Sequence, residues 1–157
     1  MAFLDKLKWP LSCKAGIWVI VLYCVFTFTA AARFPLSWTP FPYLSDFGNS
    51  SFSPNGAVFY NLGCILTGLM LFPFYLGLYK WYTKEQWRRA LIVITQLFGI
   101  ASGFSLIMIG VFSEDYGAIH HLWSVTFFLF NLLVLMLANI SLMTHRKFIR
   151  PIGSYGP

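Results

Sequence analysis

The chain has 157 residues, of which 58% are hydrophobic and 10% charged, and its mean hydropathy is +0.69. Soluble globular proteins carry about 25% charged residues, so a water-soluble domain is excluded. The net charge of +6 would suggest nucleic acid in a soluble protein, but in so apolar a chain it serves orientation and contact with anionic inner-leaflet lipid. No support for a nucleic-acid partner remains.

Ten of the eleven Lys and Arg residues fall in three segments: Lys6, Lys8 and Lys14; then Lys80, Lys84, Arg88 and Arg89; then Arg146, Lys147 and Arg150. Only Arg33 is left over. Short loops rich in Lys and Arg stay cytoplasmic, so the chain should leave and return twice. Four spans follow, at 15–32, 57–79, 90–112 and 119–143, each near the roughly 20 apolar residues that cross hydrocarbon as a helix. Backbone in lipid must be paired internally. The predicted fold is therefore all-α, an integral membrane four-helix bundle with N-in/C-in topology, in one transmembrane domain covering 1–157.

The first span starts basic and ends in Ala30-Ala31-Ala32, as a cleavable signal peptide would. Trp18, Tyr23 and Thr27 make a poor signal core, which favours a retained helix. Cys13, Cys24 and Cys64 are odd in number and lie in or beside spans, so they read as structural, with no disulfide framework or zinc knuckle. Cys13, among lysines at the membrane edge, also fits palmitoylation.

The outer loop 33–56 alternates aromatic and proline residues from Phe34 to Tyr43, which suits a segment lying in the headgroup layer with Trp38 and Tyr43 as anchors. It could roof a lateral lipid-entry site. Ser45, Asp46 and Gly48 can build a turn unaided, and Asn49-Ser50-Ser51 is an N-glycosylation acceptor pattern.

Span two carries Asn61, Cys64, Gly68 and Tyr75 along one face, and Pro73 should kink it. In span three, Gly99, Gly103 and Gly110 allow close helix packing. In span four, His120, Ser124 and Asn131 share a face that should point into the bundle.

The same charge map gathers Asp46, Glu114, Asp115, His120 and His121 at the outer face, where Asn61 enters span two. Carboxylates beside imidazoles suit acid/base chemistry or a divalent metal. Asp46 and His120 are the candidate catalytic or metal-ligating pair; Ser45, Asn61, Glu114, Asp115, His121, Ser124 and Asn131 are candidate binding residues. The structural alternative is that Glu114 and Asp115 cap span four and that Asp46 is a turn residue. No nucleotide, haem or flavin signature is present.

Tyr43-Leu-Ser-Asp-Phe-Gly48, Phe59-Tyr-Asn-Leu-Gly63 followed by Gly68, and Ile109-Gly-Val-Phe112 followed by His120-His121 resemble the uncharacterised prokaryotic membrane family related to the DRAM and Frag proteins. The resemblance covers roughly 40–143. It implies a multi-span protein of the prokaryotic cytoplasmic membrane with Ser45, Asp46, Gly48, Asn61 and His120 or His121 as shared polar residues. Some eukaryotic members of the wider group act in GPI-anchor lipid remodelling or autophagy. Relatives usually have six spans, so two helices are dispensable here or another subunit replaces them.

The function expected is a membrane protein whose outer polar pocket binds, and in a catalytic version modifies, a lipid or lipid-linked headgroup, with membrane lipids as partners. The alternative is a non-enzymatic scaffold or accessory subunit, docking a second copy or partner membrane subunits through the Gly99 and Gly103 face.

Overall fold

The computed structural model describes residues 10–35, 42–81 and 86–143. Its long elements are α1 (Leu11–Ala31), α2 (Ala57–Leu76), α3 (Gln86–Val111) and α4 (Ala118–Met143), with short 3-10 turns at Leu44–Gly48, Gly77–Trp81 and Glu114–Tyr116. All four helices are long and apolar enough to cross a membrane. The protein is an all-helical, multi-span membrane protein, as expected. The Trp38 anchor and the basic residues Lys6, Lys8, Lys84, Arg146, Lys147 and Arg150 lie outside the described residues.

Helix α1 starts at Leu11 rather than 15, and α3 at Gln86 rather than 90. The first turns of both contain the basic residues used to delimit the spans. A helix need not stop at the hydrocarbon edge, because long Lys and Arg side chains can reach back to water from within it.

The four helices form an open row. Helix α1 packs on α2, α2 on α3 and α3 on α4, while α1 and α4 barely meet. On α2 the buried residues Tyr60, Cys64, Thr67, Leu71 and Tyr75 recur at three- and four-residue spacing, the signature of one helical face turned to a core. The facing side of α3 is built from small residues, with Gly99, Ser102, Gly103, Ser105 and Gly110 all buried.

Small residues matter at this seam because backbone meets backbone. A Cβ on Gly68 would lie 2.6 Å from the Gly103 carbonyl oxygen, and one on Gly103 would lie 3.1 Å from the Gly68 oxygen. Gly110 abuts the Asn61 carbonyl, and Gly99 lies against the Tyr75 ring. In lipid, where apolar contact gives helices little reason to associate, such close packing supplies much of the attraction. The glycine face is thus occupied within the chain. That corrects the idea that Gly99 and Gly103 form a free docking seam.

Polar ties reinforce the row. Near the C-terminus of α2, which contains Pro73, buried Gln96 of α3 donates from Nε2 to the carbonyls of Tyr75 (2.9 Å) and Leu76 (3.2 Å). These carbonyls lie in the last turn of α2, where a helix runs out of internal donors. Asn131 of α4 donates to the hydroxyl of fully buried Ser102 at 2.7 Å and to the Phe127 carbonyl at 3.0 Å. The outward faces of α1 and α4 carry Val25, Phe28, Leu122 and Leu132, all exposed, as lipid-facing surfaces should be.

Candidate functional site

The segment after α1 and the α3–α4 turn come together at one end of the row, the loop end. Phe34 packs edge-on against Phe47 with centroids 5.3 Å apart, and Phe47 packs against Tyr60 of α2 at 6.3 Å. Arg33, the cation outside the three basic segments, lies 4.1 Å from the centroid of the Phe59 ring, a cation–π contact.

Several residues expected in the pocket instead build its roof. Asp46 is 4% exposed. Its Oδ2 accepts from Tyr43 N at 2.7 Å, and its own N–H donates to the Tyr43 carbonyl at 3.0 Å, so Asp46 closes its own turn. Asn61 donates from Nδ2 to the Gly48 carbonyl at 3.0 Å. Gly48 is held so tightly there that a Cβ would lie 2.6 Å from Asn61 Oδ1.

Asn49 Oδ1 accepts from Ser51 N at 2.9 Å and Phe52 N at 3.3 Å, a side-chain-closed turn. Asp115 accepts from the N–H (3.0 Å) and hydroxyl (2.9 Å) of Ser50 and from the Ser113 hydroxyl at 2.7 Å. The loop is therefore strapped to α2 by Asn61 and to the α3–α4 turn by Asp115.

Under this roof lies a cleft of about 870 Å³, within the range of small-molecule sites, in the gap between α1 and α4. One wall is α1, with Val19 and Tyr23; the other is α4, with Ser124 and Phe128; α2 and α3 close the back through Leu71 and Leu106. Ser45, Asn49, Glu114, His120 and His121 line its loop end, and Tyr23, Thr67, Ser124 and Asn131 line it deeper. Asp46, Asn61 and Asp115 are not among the lining residues. The lining runs along α4 from His120 to Asn131, about 16 Å at 1.5 Å per residue, half of a hydrocarbon core roughly 30 Å thick.

Glu114 is the acid that faces the cleft. Its Oε2 is buried and has no hydrogen-bond partner. Burial pushes its carboxyl above the ordinary range and the nearby Asp46 charge adds to this, while Ser45 and His120 favour the charged form. In neighbouring Asp115 a slight burial is outweighed by the hydrogen bonds from Ser113 and Ser50, and the carboxyl falls below its usual range.

His120 is buried, and its Nδ1 lies 2.8 Å from the Phe112 carbonyl oxygen. A carbonyl only accepts, so Nδ1 carries the hydrogen, and Nε2 is the acceptor whenever the ring is neutral. Ring and carboxylate thus bring acceptors to one end of the cleft. Among the described residues, no three His, Cys, Asp or Glu side chains are grouped so as to hold a metal ion; Asp46 is bonded within its own turn and His120 across the α3–α4 turn to Phe112. The arrangement gives little to the Asp46–His120 catalytic or metal pair and more to Glu114 with His120.

A family model matches residues 17–155, which takes in the cleft and all of α2 to α4. The chain belongs to the DUF998 family of proteins of unknown function. The expectation of an uncharacterised membrane family is met at that level. No curated protein and no solved structure matches this DUF998 chain.

The sequence reading missed Tyr23, Tyr60 and Thr67 as lining residues of the DUF998 chain. Thr67 is 2% exposed, and its hydroxyl has no partner, whereas Thr29, Thr95 and Thr126 each bond the carbonyl four residues back. Thr67 sits three and seven residues from Cys64 and Tyr60, which places all three on one helical face. That spacing was the available signal.

Proposed function

We propose that this protein binds a lipid or lipid-linked molecule in the cleft between α1 and α4, with the headgroup under the loop roof and the chain along the apolar walls. The observation that carries this reading is the cleft itself: a gap between two spans, lined mostly by apolar side chains, with its carboxylate and imidazoles at one end. Two of its lining side chains, Glu114 and Thr67, hold buried oxygen atoms without partners, and a bound polar group would satisfy such atoms.

The basic segments favour placing the loop end outside and both termini in the cytoplasm, so the ligand would enter from the outer leaflet of a prokaryotic cytoplasmic membrane. The resemblance to the DRAM and Frag group, some of whose members act in lipid remodelling, points the same way. A chemical step on the headgroup would use His120 Nε2 as the base, with Glu114 in the place first given to Asp46. The seam that the scaffold reading gave to a partner, the Gly99 and Gly103 face, packs on α2 within the chain.

The test is Ser124→Trp, which fills the cleft from α4 without touching the α2–α3 seam. Protein purified in detergent and incubated with phospholipid should retain several-fold less lipid when it carries this substitution, at an unchanged melting temperature. Equal retention by wild type and variant would overturn the reading.

A further inference from the structure

The chemistry of the polar end narrows the ligand. Resting on the lipid-binding reading above, we infer that the cleft selects a headgroup bearing a primary ammonium, of the phosphatidylethanolamine kind, and that Glu114 is its counter-ion.

Three observations converge on this. The first concerns charge: among the described residues no Lys or Arg lines the cleft, and the formal charge on its lining is the Glu114 carboxylate. A bare phosphate headgroup would meet a like charge with no cation to offset it, whereas an ammonium meets an opposite one. The described cations are elsewhere: Arg33 is on the Phe59 ring, Lys14 is in the first turn of α1, and Lys80, Arg88 and Arg89 are at the far ends of α2 and α3.

The second concerns hydrogen-bond polarity. His120 Nδ1 is engaged with the Phe112 carbonyl, so the neutral ring offers only the Nε2 lone pair. Glu114 offers carboxylate oxygens, one of them unpartnered, and rotation about its terminal torsion, which is soft, swings Oε2 toward the cleft. The Ser45 hydroxyl, which already favours the charged form of Glu114, adds a further lone pair. An end so rich in acceptors calls for a ligand rich in donors, and a primary ammonium carries three.

The third concerns the alternatives. A trimethylammonium group has no N–H and would leave these acceptors unpaired, which is costly in a site shielded from water. A hydroxyl headgroup such as glycerol donates but brings no charge to the carboxylate. The ethanolamine headgroup supplies both.

The experiment offers the purified wild-type chain an equimolar mixture of dioleoyl phosphatidylethanolamine, phosphatidylglycerol and phosphatidylcholine in detergent, and quantifies the retained lipid by mass spectrometry. The expected result is phosphatidylethanolamine enriched about tenfold, the scale of one charge-assisted hydrogen bond. Glu114→Gln, which keeps the shape, should bring the retained mixture close to the one supplied.

Equal retention of the three headgroups, or enrichment of phosphatidylglycerol, overturns the inference and leaves lipid binding standing. Phosphatidylcholine enriched as strongly as phosphatidylethanolamine also overturns it, because N–H donation would then be irrelevant. An unchanged preference in Glu114→Gln removes the counter-ion role. The wild-type measurement decides on its own if that variant does not fold. Failure of the lipid-binding reading appears separately, as retention indifferent to Ser124→Trp.

Discussion

The α2–α3 seam and the α1–α4 gap lie at similar depths in one small helical row, yet they are built on opposite principles. At the seam, glycines bring backbones into contact, and polar groups are bonded across the interface by Gln96 or, toward α4, by Ser102 and Asn131. In the gap, large apolar side chains stand apart, and polar atoms of Glu114 and Thr67 lack partners. In lipid a helix pair holds together through close packing and satisfied polar groups. The seam has both and the gap has neither, so the seam serves stability and the gap is where the proposed ligand belongs.

The sharpest way to break this contrast is to spoil the seam. Gly110→Leu would drive a branched side chain into the Asn61 carbonyl and against Cys64 and Ile65. Backbone on the facing helix cannot rotate aside as a side chain can, so the cost should reach about 3 kcal/mol, the upper end for overpacking. Thermal unfolding in detergent should show a large drop in melting temperature. A drop no larger than that of a cleft-wall change such as Ile20→Leu would mean the seam is not the stabilising element.

A smaller effect is expected from Gln96→Leu. The substitution preserves bulk but takes the side-chain donor from the Tyr75 and Leu76 carbonyls. A loss of about 1 kcal/mol is expected, the net worth of a buried hydrogen bond, since the Gly77 N–H still reaches the Tyr75 carbonyl. Gln96→Glu should be at least as damaging, since it removes the same donor and adds charge. Unfolding curves indistinguishable from wild type would show that the end of α2 is satisfied in another way.

The architecture was legible in the sequence because charge and hydropathy are one-dimensional signals. The segregation of Lys and Arg into three clusters marked four spans, and the glycine spacing at 99, 103 and 110 marked a packing face. Which surface that face meets is a three-dimensional fact. The same spacing suited an internal seam and an external one, and only the Gly68–Gly103 approach decides. The cleft was less legible still. Shared depth gathered Asp46, Asn61, Glu114, Asp115 and His120 into one expected site, but depth says nothing about direction. Asp46 and Asp115 turned to backbone N–H groups and hydroxyls of the loop, Asn61 to the Gly48 carbonyl, and Glu114 remained beside the cleft with His120. Asp46 closes a turn, as the structural alternative had it, whereas Asp115 ties Ser50 to Ser113.

Adjacent Glu114 and Asp115 repeat the contrast at the scale of two residues, and Asp115 gives the smallest expected effect. Asp115→Asn keeps the shape of the strap but removes the charge that Ser50 and Ser113 stabilise. The folded Asp115 carboxyl lies below its ordinary range, so the folded chain binds this proton less tightly than the unfolded chain does. Its contribution is therefore fully present above the unfolded value of about 3.9 and is lost as pH falls through the lower folded value. Because Asp115 is exposed, solvent screening should hold the contribution under about 1 kcal/mol. At pH 7, Asp115→Asn should melt slightly below wild type, and the difference should shrink as pH drops below about 4. Glu114→Gln should behave oppositely in stability: the folded carboxyl lies above its ordinary range, so the charge is a burden on the fold at neutral pH, and removing it should raise the melting temperature slightly. A pH-independent difference for Asp115→Asn would assign the strap to shape and hydrogen-bond count, leaving charge out of how the roof is held over the gap.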